Sequence, residues 1–477
     1  MPKKNKGRIL KKVLKNIVPK PSEKKRLEEL AEKILEIASK EAEKYDAEPI
    51  IAGSLTRDTW LPGKMEFDLF IMFPKSTSKA NLEKHGLKIG KSIVRKMKGK
   101  HIIEYAEHPY VCGIVKNMHI DIVPCYKLNS TAELKSSVDR TPFHVRYIEK
   151  NLPKRMANDV RLLKQLCGAY RIYGADTKTE GFSGYVCELI IVRYGSFIKA
   201  MHAISKWESG EVIDIEKFYK EKDHARLKRK FKAQSLILID PTDANRNTAA
   251  AISHENFQKL IKITNEFQQS PSEQMFFPKR KKPMTITHLK RTLKERDTEI
   301  IVIKFRPPKV VSDILWPQLR RFANRTEAIL KENEFVVLRK GVYTNEKNIA
   351  CVLLEMKNCR LPAIQKRIGP SVSDKDGSKN FICKYKKTAI TGPFVEKGFW
   401  VVETKRKFRT AQSKLKDSLG DSVRTLKAKG IPSHIAKQVA KRYTLLSDSE
   451  RIIKIVKKDK EFGIFLREYF EKERLDI

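Results

Sequence analysis

One run of nine residues, EFDLFIMFP at 66–74, constrains the fold of this chain more than any other stretch. Side chains alternate faces along a strand, so Glu66 and Asp68 point one way while Phe67 and Leu69 enter the opposite, apolar layer. From Leu69 to Phe73 both faces are apolar, the pattern of a strand buried inside a sheet that is covered on both sides. Two carboxylates at the start of such a strand repel each other and are unfavourable when desolvated, unless a positive group sits between them. The strand just upstream breaks at Gly53-Ser54. There glycine permits a tight turn against a ligand, Ser54 offers a hydroxyl and an amide donor, and Arg57 adds a bidentate phosphate fork. Beside a phosphate-binding turn, the occupant that suits acidic oxygens is a hard divalent cation.

A third carboxylate extends the pattern. After a helix at 79–98, strands are expected at 101–106, 110–115 and 118–123, and the last carries Asp121 in MHIDIVPCY. Ile120 and Ile122 flank Asp121, so it too projects away from the core layer. Brought beside Glu66 and Asp68, it would complete a set able to hold two Mg²⁺ ions, which clamp the attacking and leaving oxygens in phosphoryl transfer. The bland alternative is a lone aspartate at a strand end.

Charge narrows the partner. The chain has 477 residues, with 99 Lys and Arg against 57 Asp and Glu, a net charge of +42 spread along its length. Such an excess repels itself unless a polyanion offsets it, which points to nucleic acid ahead of an anionic membrane surface. No apolar run approaches the roughly 20 residues that cross a bilayer, and MPKKNKGRIL has no signal-peptide core, so a cytoplasmic protein is expected. The seven cysteines form no C-x-x-C pair, which argues against a disulfide framework or a zinc site.

The remaining segments read as follows. Residues 22–45 form an amphipathic helix, with Leu27, Leu30, Ile34 and Ala38 on one face. Residues 158–170 form another, with Arg161, Lys164 and Arg171 at its surface. A single buried helix runs from 181 to 204 behind a Ser183 cap, and 218–232 is a loop or short solvated helix. Asp240-Pro241 is a turn, after which Arg246-Asn247 opens a helix. A proline-rich, basic stretch at 271–283 marks an internal boundary. Beyond it, strands at 299–305, 334–338 and 350–356 and a helix at 314–333 predict a sheet with helices on one face. From 405 the chain reads as helical and strongly basic, suited to RNA backbone contacts.

The order Gly53-Ser54, Glu66-x-Asp68, Asp121 resembles the DNA polymerase β-type nucleotidyltransferase superfamily. GSLTRDTWLPGKMEFDLFIMFP, HIDIVPCY, VDRTPFHVRY, IYGADTKTEGFSGYVCELIIVRYGSF and TGPFVEKGFWVVE narrow the likeness to the archaeal-type, class I, CCA-adding tRNA nucleotidyltransferases, from about residue 8 to beyond 440. Thr56 and Asp58 depart from the small residues expected beside the phosphate turn. The resemblance implies an α+β protein: a polymerase β-like nucleotidyltransferase head at 1–150, a helical central domain at 151–275, an α+β body at 284–403 and a helical basic tail at 404–477. It implies catalysis by Glu66, Asp68 and Asp121 with two Mg²⁺ ions, and nucleotide binding by Ser54, Arg57, Thr141, His144, Lys164, Tyr173 and Arg246. On residue type alone, Lys164 is a solvated helix residue and Tyr173 a packing residue. Arg320 and Arg321 are placed near tRNA. The implied reaction is template-independent addition of C, C and A to tRNA from CTP and ATP, with 3′-end repair, tandem CCACCA marking and a homodimer left open. A poly(A) polymerase, an oligoadenylate synthetase or a non-catalytic RNA-binding protein are the alternatives.

Overall fold

The computed structural model describes residues 3–63, 66–105, 107–232, 234–279 and 281–472, with side chains from residue 6 onward. Lys64 and Met65 of the opening stretch, Ala106 at the end of an expected strand, and Arg280 in the boundary stretch lie outside the described residues. The chain divides into two units, Met1–Lys279 and Arg280–Arg474.

The first unit begins with α1 (Lys3–Ile17) and α2 (Pro21–Ala42) and then enters a five-stranded sheet. Its strands are β1 (Glu48–Ala52), β2 (Glu66–Pro74), β3 (Lys100–Tyr105), β4 (Pro109–Val115) and β5 (Met118–Lys127), with α3 (Lys79–Lys96) between β2 and β3. The spatial order is β1-β2-β5-β4-β3, and only β2 and β5 pair in parallel. The alternation in β2 works as its sequence dictates. Phe67, Leu69, Ile71 and Phe73 pack on α2 and α3 through Ile34, Ala38, Ile89 and Ile93. On the other face, Phe70 and Met72 pack with Cys125 and with Val145 of α4 (Thr141–Asn151).

The rest of this unit comprises α5 (Ala157–Ala169), α6 (Gly184–Tyr194), α7 (Phe197–Ile204), β6 (Glu211–Ile213), α8 (His224–Lys230), β7 (Leu236–Asp240), β8 (Asp243–Asn247) and α9 (His254–Gln269). Its core draws on Val160, Leu163, Ile190, Met201, Phe257 and Leu260. α1 falls within the span expected for the head, yet it buries Leu10, Val13 and Ile17 in this second core. Two expectations are corrected. The helix expected over 181–204 is two: Gly195, at φ +76°, ends α6, and Ser196 caps α7 by accepting from the Lys199 amide. Arg246-Asn247 does not open a helix but closes β8, whose Asn247 pairs with Ile239. Asn247 Oδ1 accepts from the Leu238 and Ala249 amides, which ties this stretch to β7 and turns the chain just after it.

The second unit holds α10 (Ile286–Arg296), β9 (Glu299–Phe305), α11 (Ser312–Lys331), β10 (Val337–Thr344), β11 (Ala350–Met356), β12 (Ile364–Ser371), α12 (Lys375–Tyr385), β13 (Ala389–Glu396) and β14 (Phe399–Lys405). It continues with α13 (Ala411–Leu419), α14 (Val423–Ala428), α15 (Ser433–Lys441), β15 (Tyr443–Leu446), α16 (Ser449–Lys458) and α17 (Lys460–Phe470). Its main sheet runs β10-β11-β9-β15, and β12-β14-β13 form a smaller one. The sheet is covered on both faces, not one. Ile301, Ile303, Val352 and Leu354 join α11, α13 and α15, while Ile300, Val302, Cys351 and Leu353 join α16 and α17. The described residues from 404 to 472 are not helical throughout, because β15 pairs along β9 from Tyr443↔Phe305 to Leu446↔Val302 and joins this sheet. The strand expected at 334–338 starts later, at Val337.

Candidate active site

The parallel pairing of β2 with β5 sets Asp68 opposite Asp121, and the β4 pairing puts Cys112 on the other side of Asp121. Glu66 lies one pleat before Asp68 on the same face and is exposed. Asp68 is pushed up to about 6, first by burial and then by the negative charge of Asp121 and Glu66, with Arg57 pulling the other way. Asp121 is raised for the same first reason, burial. Cys112 is pushed up to about 12 by burial and by its hydrogen bond to Asp121, so it stays a neutral thiol donor. Gly53, at φ +87°, makes the close approach possible: a Cβ there would stand 3.2 Å from Asp68 Oδ2. Among the described residues no three His, Cys, Asp or Glu groups close into a ready-made ion cage. The donor set still suits a hard divalent cation. It consists of acidic oxygens sharing a face, and on one of them burial and the neighbouring carboxylates disfavour a charge that a cation would offset.

Beside the carboxylates is a cavity of about 130 Å³ lined in part by Ser54, Thr59, Glu66, Lys164 and Tyr173. The loop between β1 and β2 therefore meets α5 and the segment after it. Lys164 does not lie at the surface of α5 but is 2% exposed, and Arg161 is 1% exposed, because this loop packs over them. Lys164 Nζ donates to Thr59 Oγ1 at 3.0 Å and to Glu188 Oε1 at 3.1 Å, while Arg57 Nη2 sits 3.0 Å from Glu188 Oε2. Arg161 Nε donates to the Trp60 carbonyl at 3.0 Å, and its Nη2 pairs with Asp58. Asp58 also receives Lys24 of α2 at 2.5 Å. Asp58, unexpected beside such a turn, thus fastens the loop to two helices. Tyr173 is held by its bridge to Phe182, and burial pushes its phenol up, so it remains a neutral donor.

A second group centres on Asp240, fully buried at the end of β7. Its Oδ2 lies 2.8 Å from His144 Nε2 and 2.7 Å from Arg246 Nη1, and Tyr185 donates to Oδ1 at 3.3 Å. Burial opposes the charge of Asp240, but the His144 and Arg246 contacts hold its carboxyl well below the usual range. The His144 ring stacks on Tyr185 with centroids 4.1 Å apart. Thr141 opens α4 one turn before His144. Arg320 and Arg321 are on α11 of the second unit, Arg320 at 6.0 Å over the Trp316 ring and Arg321 exposed.

The residues that hold these groups, Glu188, Asp240, Tyr185 and Thr59, escaped the sequence reading. A signal for Glu188 existed, since one glutamate inside the apolar run VCELIIV has to find a cationic partner once buried. Asp240, closing the apolar strand LILID, carried the same signal.

Residues 31–153 match the nucleotidyltransferase domain family, 158–277 the second domain of tRNA nucleotidyltransferase, and 296–448 the C-terminal domain of the CCA-adding enzyme. These matches, over a head whose paired carboxylates stand beside the cavity that Lys164 borders, define a nucleotidyltransferase. The chain is 34% identical over 461 residues, 96% of its length and 97% of the relative's, to the CCA-adding enzyme of Methanosarcina mazei. To that of Archaeoglobus fulgidus it is 36% identical over 404 residues, 85% of this chain and 87% of the other. The chain belongs to the CCA-adding enzyme family. That membership sets aside the poly(A) polymerase, oligoadenylate synthetase and non-catalytic readings. Among solved structures, Cid1, a protein with RNA terminal uridylyl transferase activity, overlaps 57% of this chain and 98% of its own at 13% identity and a TM-score of 0.44, too distant to add to this.

Proposed function

We propose that this protein adds C, C and A to the 3′ end of tRNA lacking all or part of that sequence, using CTP and ATP and releasing pyrophosphate, and so also repairs damaged 3′ ends. The observation that carries the reading is the register that places Asp68 opposite Asp121, beside the cavity of Ser54, Lys164 and Tyr173, in a chain of this family. The primer 3′-oxygen bonds to the α-phosphorus, the bond from that phosphorus to the β-phosphate bridging oxygen breaks, the hydroxyl proton passes to solvent, and pyrophosphate leaves. Two Mg²⁺ ions, held by Glu66, Asp68 and Asp121, would supply Lewis acidity for the nucleophile and charge neutralisation for the leaving group. Asp121 faces the primer hydroxyl, and Glu66 and Asp68 face both substrates. Lys164 and Arg57 place positive charge on the triphosphate, with Ser54 and Tyr173 as neutral donors. Thr141, His144 and Arg246 border the rest of the nucleotide, and Arg320 and Arg321 meet the tRNA.

The reading sets the reaction in the cytoplasm and allows a homodimer. Among the described residues no helix is long and apolar enough to cross a membrane. A tRNA ending before CCA, given one labelled nucleotide at a time, tests it. CTP alone should add C and C, and ATP alone should extend only the tRNA that already ends in CC. A long homopolymer from ATP alone would contradict the proposal.

A further inference from the structure

Glu188 is the one charged side chain in the buried stretch from Val186 to Ile191 of α6, and its carboxylate is fully buried. Three groups from elsewhere in the chain converge on it. Thr59 Oγ1 donates to Oε1 at 2.8 Å, Lys164 Nζ reaches the same oxygen at 3.1 Å, and Arg57 Nη2 lies 3.0 Å from Oε2. Lys164 and Arg57 have side chains only 2% and 10% exposed. One carboxylate shared by two cations leaves a single net positive charge. Lys164 borders the 130 Å³ cavity, and Arg57 acts on Asp68 at the metal face. The Arg57 contact is an ion pair without hydrogen-bond alignment, and Arg57 Nε, although buried, has no hydrogen-bond partner. Part of its donor fork is thus left for another acceptor.

Stability does not account for this cluster. A buried ion pair commonly contributes nothing over apolar groups of the same volume, and α6 is otherwise apolar on every side that it buries here. Losing one member is different, because it strands the others in a dry site. The arrangement instead keeps the two cationic heads close together at the edge of the cavity, where a polyanionic group that arrives later can meet them.

We propose that Glu188 is a positioning residue for the incoming triphosphate: it holds the heads of Lys164 and Arg57 aligned at the edge of the cavity. This rests on the reading that Lys164 and Arg57 bind the triphosphate. Glu188 itself touches no reacting atom and acts through its two partners. Its effect therefore falls on nucleotide binding more than on the turnover of bound nucleotide.

The test is a mutant cycle read by steady-state kinetics with CTP and with ATP on tRNA lacking part of its CCA. Glu188→Gln keeps the shape and an acceptor for Thr59 but removes the charge. It should raise KM for both nucleotides about tenfold or more, while kcat at saturating nucleotide changes by less than about threefold. Lys164→Met should also raise KM. In the double variant Lys164→Met/Glu188→Gln, Glu188 can act only through Arg57, so KM should rise by less than the product of the two single effects. The double variant removes one charge of each sign, so it serves where Glu188→Gln alone fails to fold, and its KM is then compared directly with that of Lys164→Met. If Lys164→Met leaves KM unchanged, the nucleotide-site reading itself fails. If Lys164→Met raises KM but Glu188→Gln does not, or if the two effects multiply, the positioning role is overturned and the site reading stands.

Discussion

At the scale of single residues, this molecule keeps like charges together in a partly dry place. Asp68 is raised from an ordinary 3.8 to about 6 by burial and by Asp121 and Glu66. A carboxyl whose folded value exceeds its unfolded one contributes stability that is fully present below the unfolded value and lost as pH rises through the folded one. Without a cation, ionised Asp68 should therefore cost the fold on the order of 2–3 kcal/mol at neutral pH, by the usual ~1.4 kcal/mol per unit. In chelator at pH 7.5, Asp68→Asn should unfold at higher denaturant than the parent, and the gap should close below about pH 4. A gap of equal size at both pH values would show that charge is not its cause. That Glu66 and Asp68 share a face was legible from the sequence, because the two-residue period of a strand fixes facing without any knowledge of the neighbours. The burial of Lys164 and Arg161 was not. Helical spacing places them on the outer side of α5, and only the packing of a loop some 100 residues away covers them.

At the scale of elements, the loop between β1 and β2 decides how the cavity is walled. Asp58 ties it to Lys24 on α2 and to Arg161 on α5, and Trp60 seats it in the head core. Asp58→Ala leaves a buried guanidinium short of its anion, and should lower unfolding free energy by about 1–3 kcal/mol. Urea unfolding measures this, and a midpoint equal to the parent's would contradict the anchoring role. Element type was readable where apolar periodicity was strong, as in β2, β5 and α3. It failed where a backbone feature overrode the pattern. Gly195 and Ser196 divide an apolar stretch that looks continuous, and β8 owes its strand geometry to pairing with β7, since DANRN carries no strand alternation of its own. YTLL at 443–446 is too short to announce itself within a helical region, yet it completes the second sheet beside β9.

At the scale of the whole molecule, a net charge of +42 fits a protein whose substrate is a polyanion, and the family likeness spans both units. The central claim is that nucleotidyl transfer to tRNA happens at the carboxylate face of the head. Asp121→Ala tests it most directly, with incorporation of CTP and ATP and binding of tRNA measured on the same preparation. Incorporation should fall by at least about a thousandfold, roughly 4 kcal/mol of transition-state stabilisation, while tRNA affinity stays within about threefold of the parent. Substantial incorporation by the variant, or loss of tRNA binding in step with loss of activity, would contradict the account.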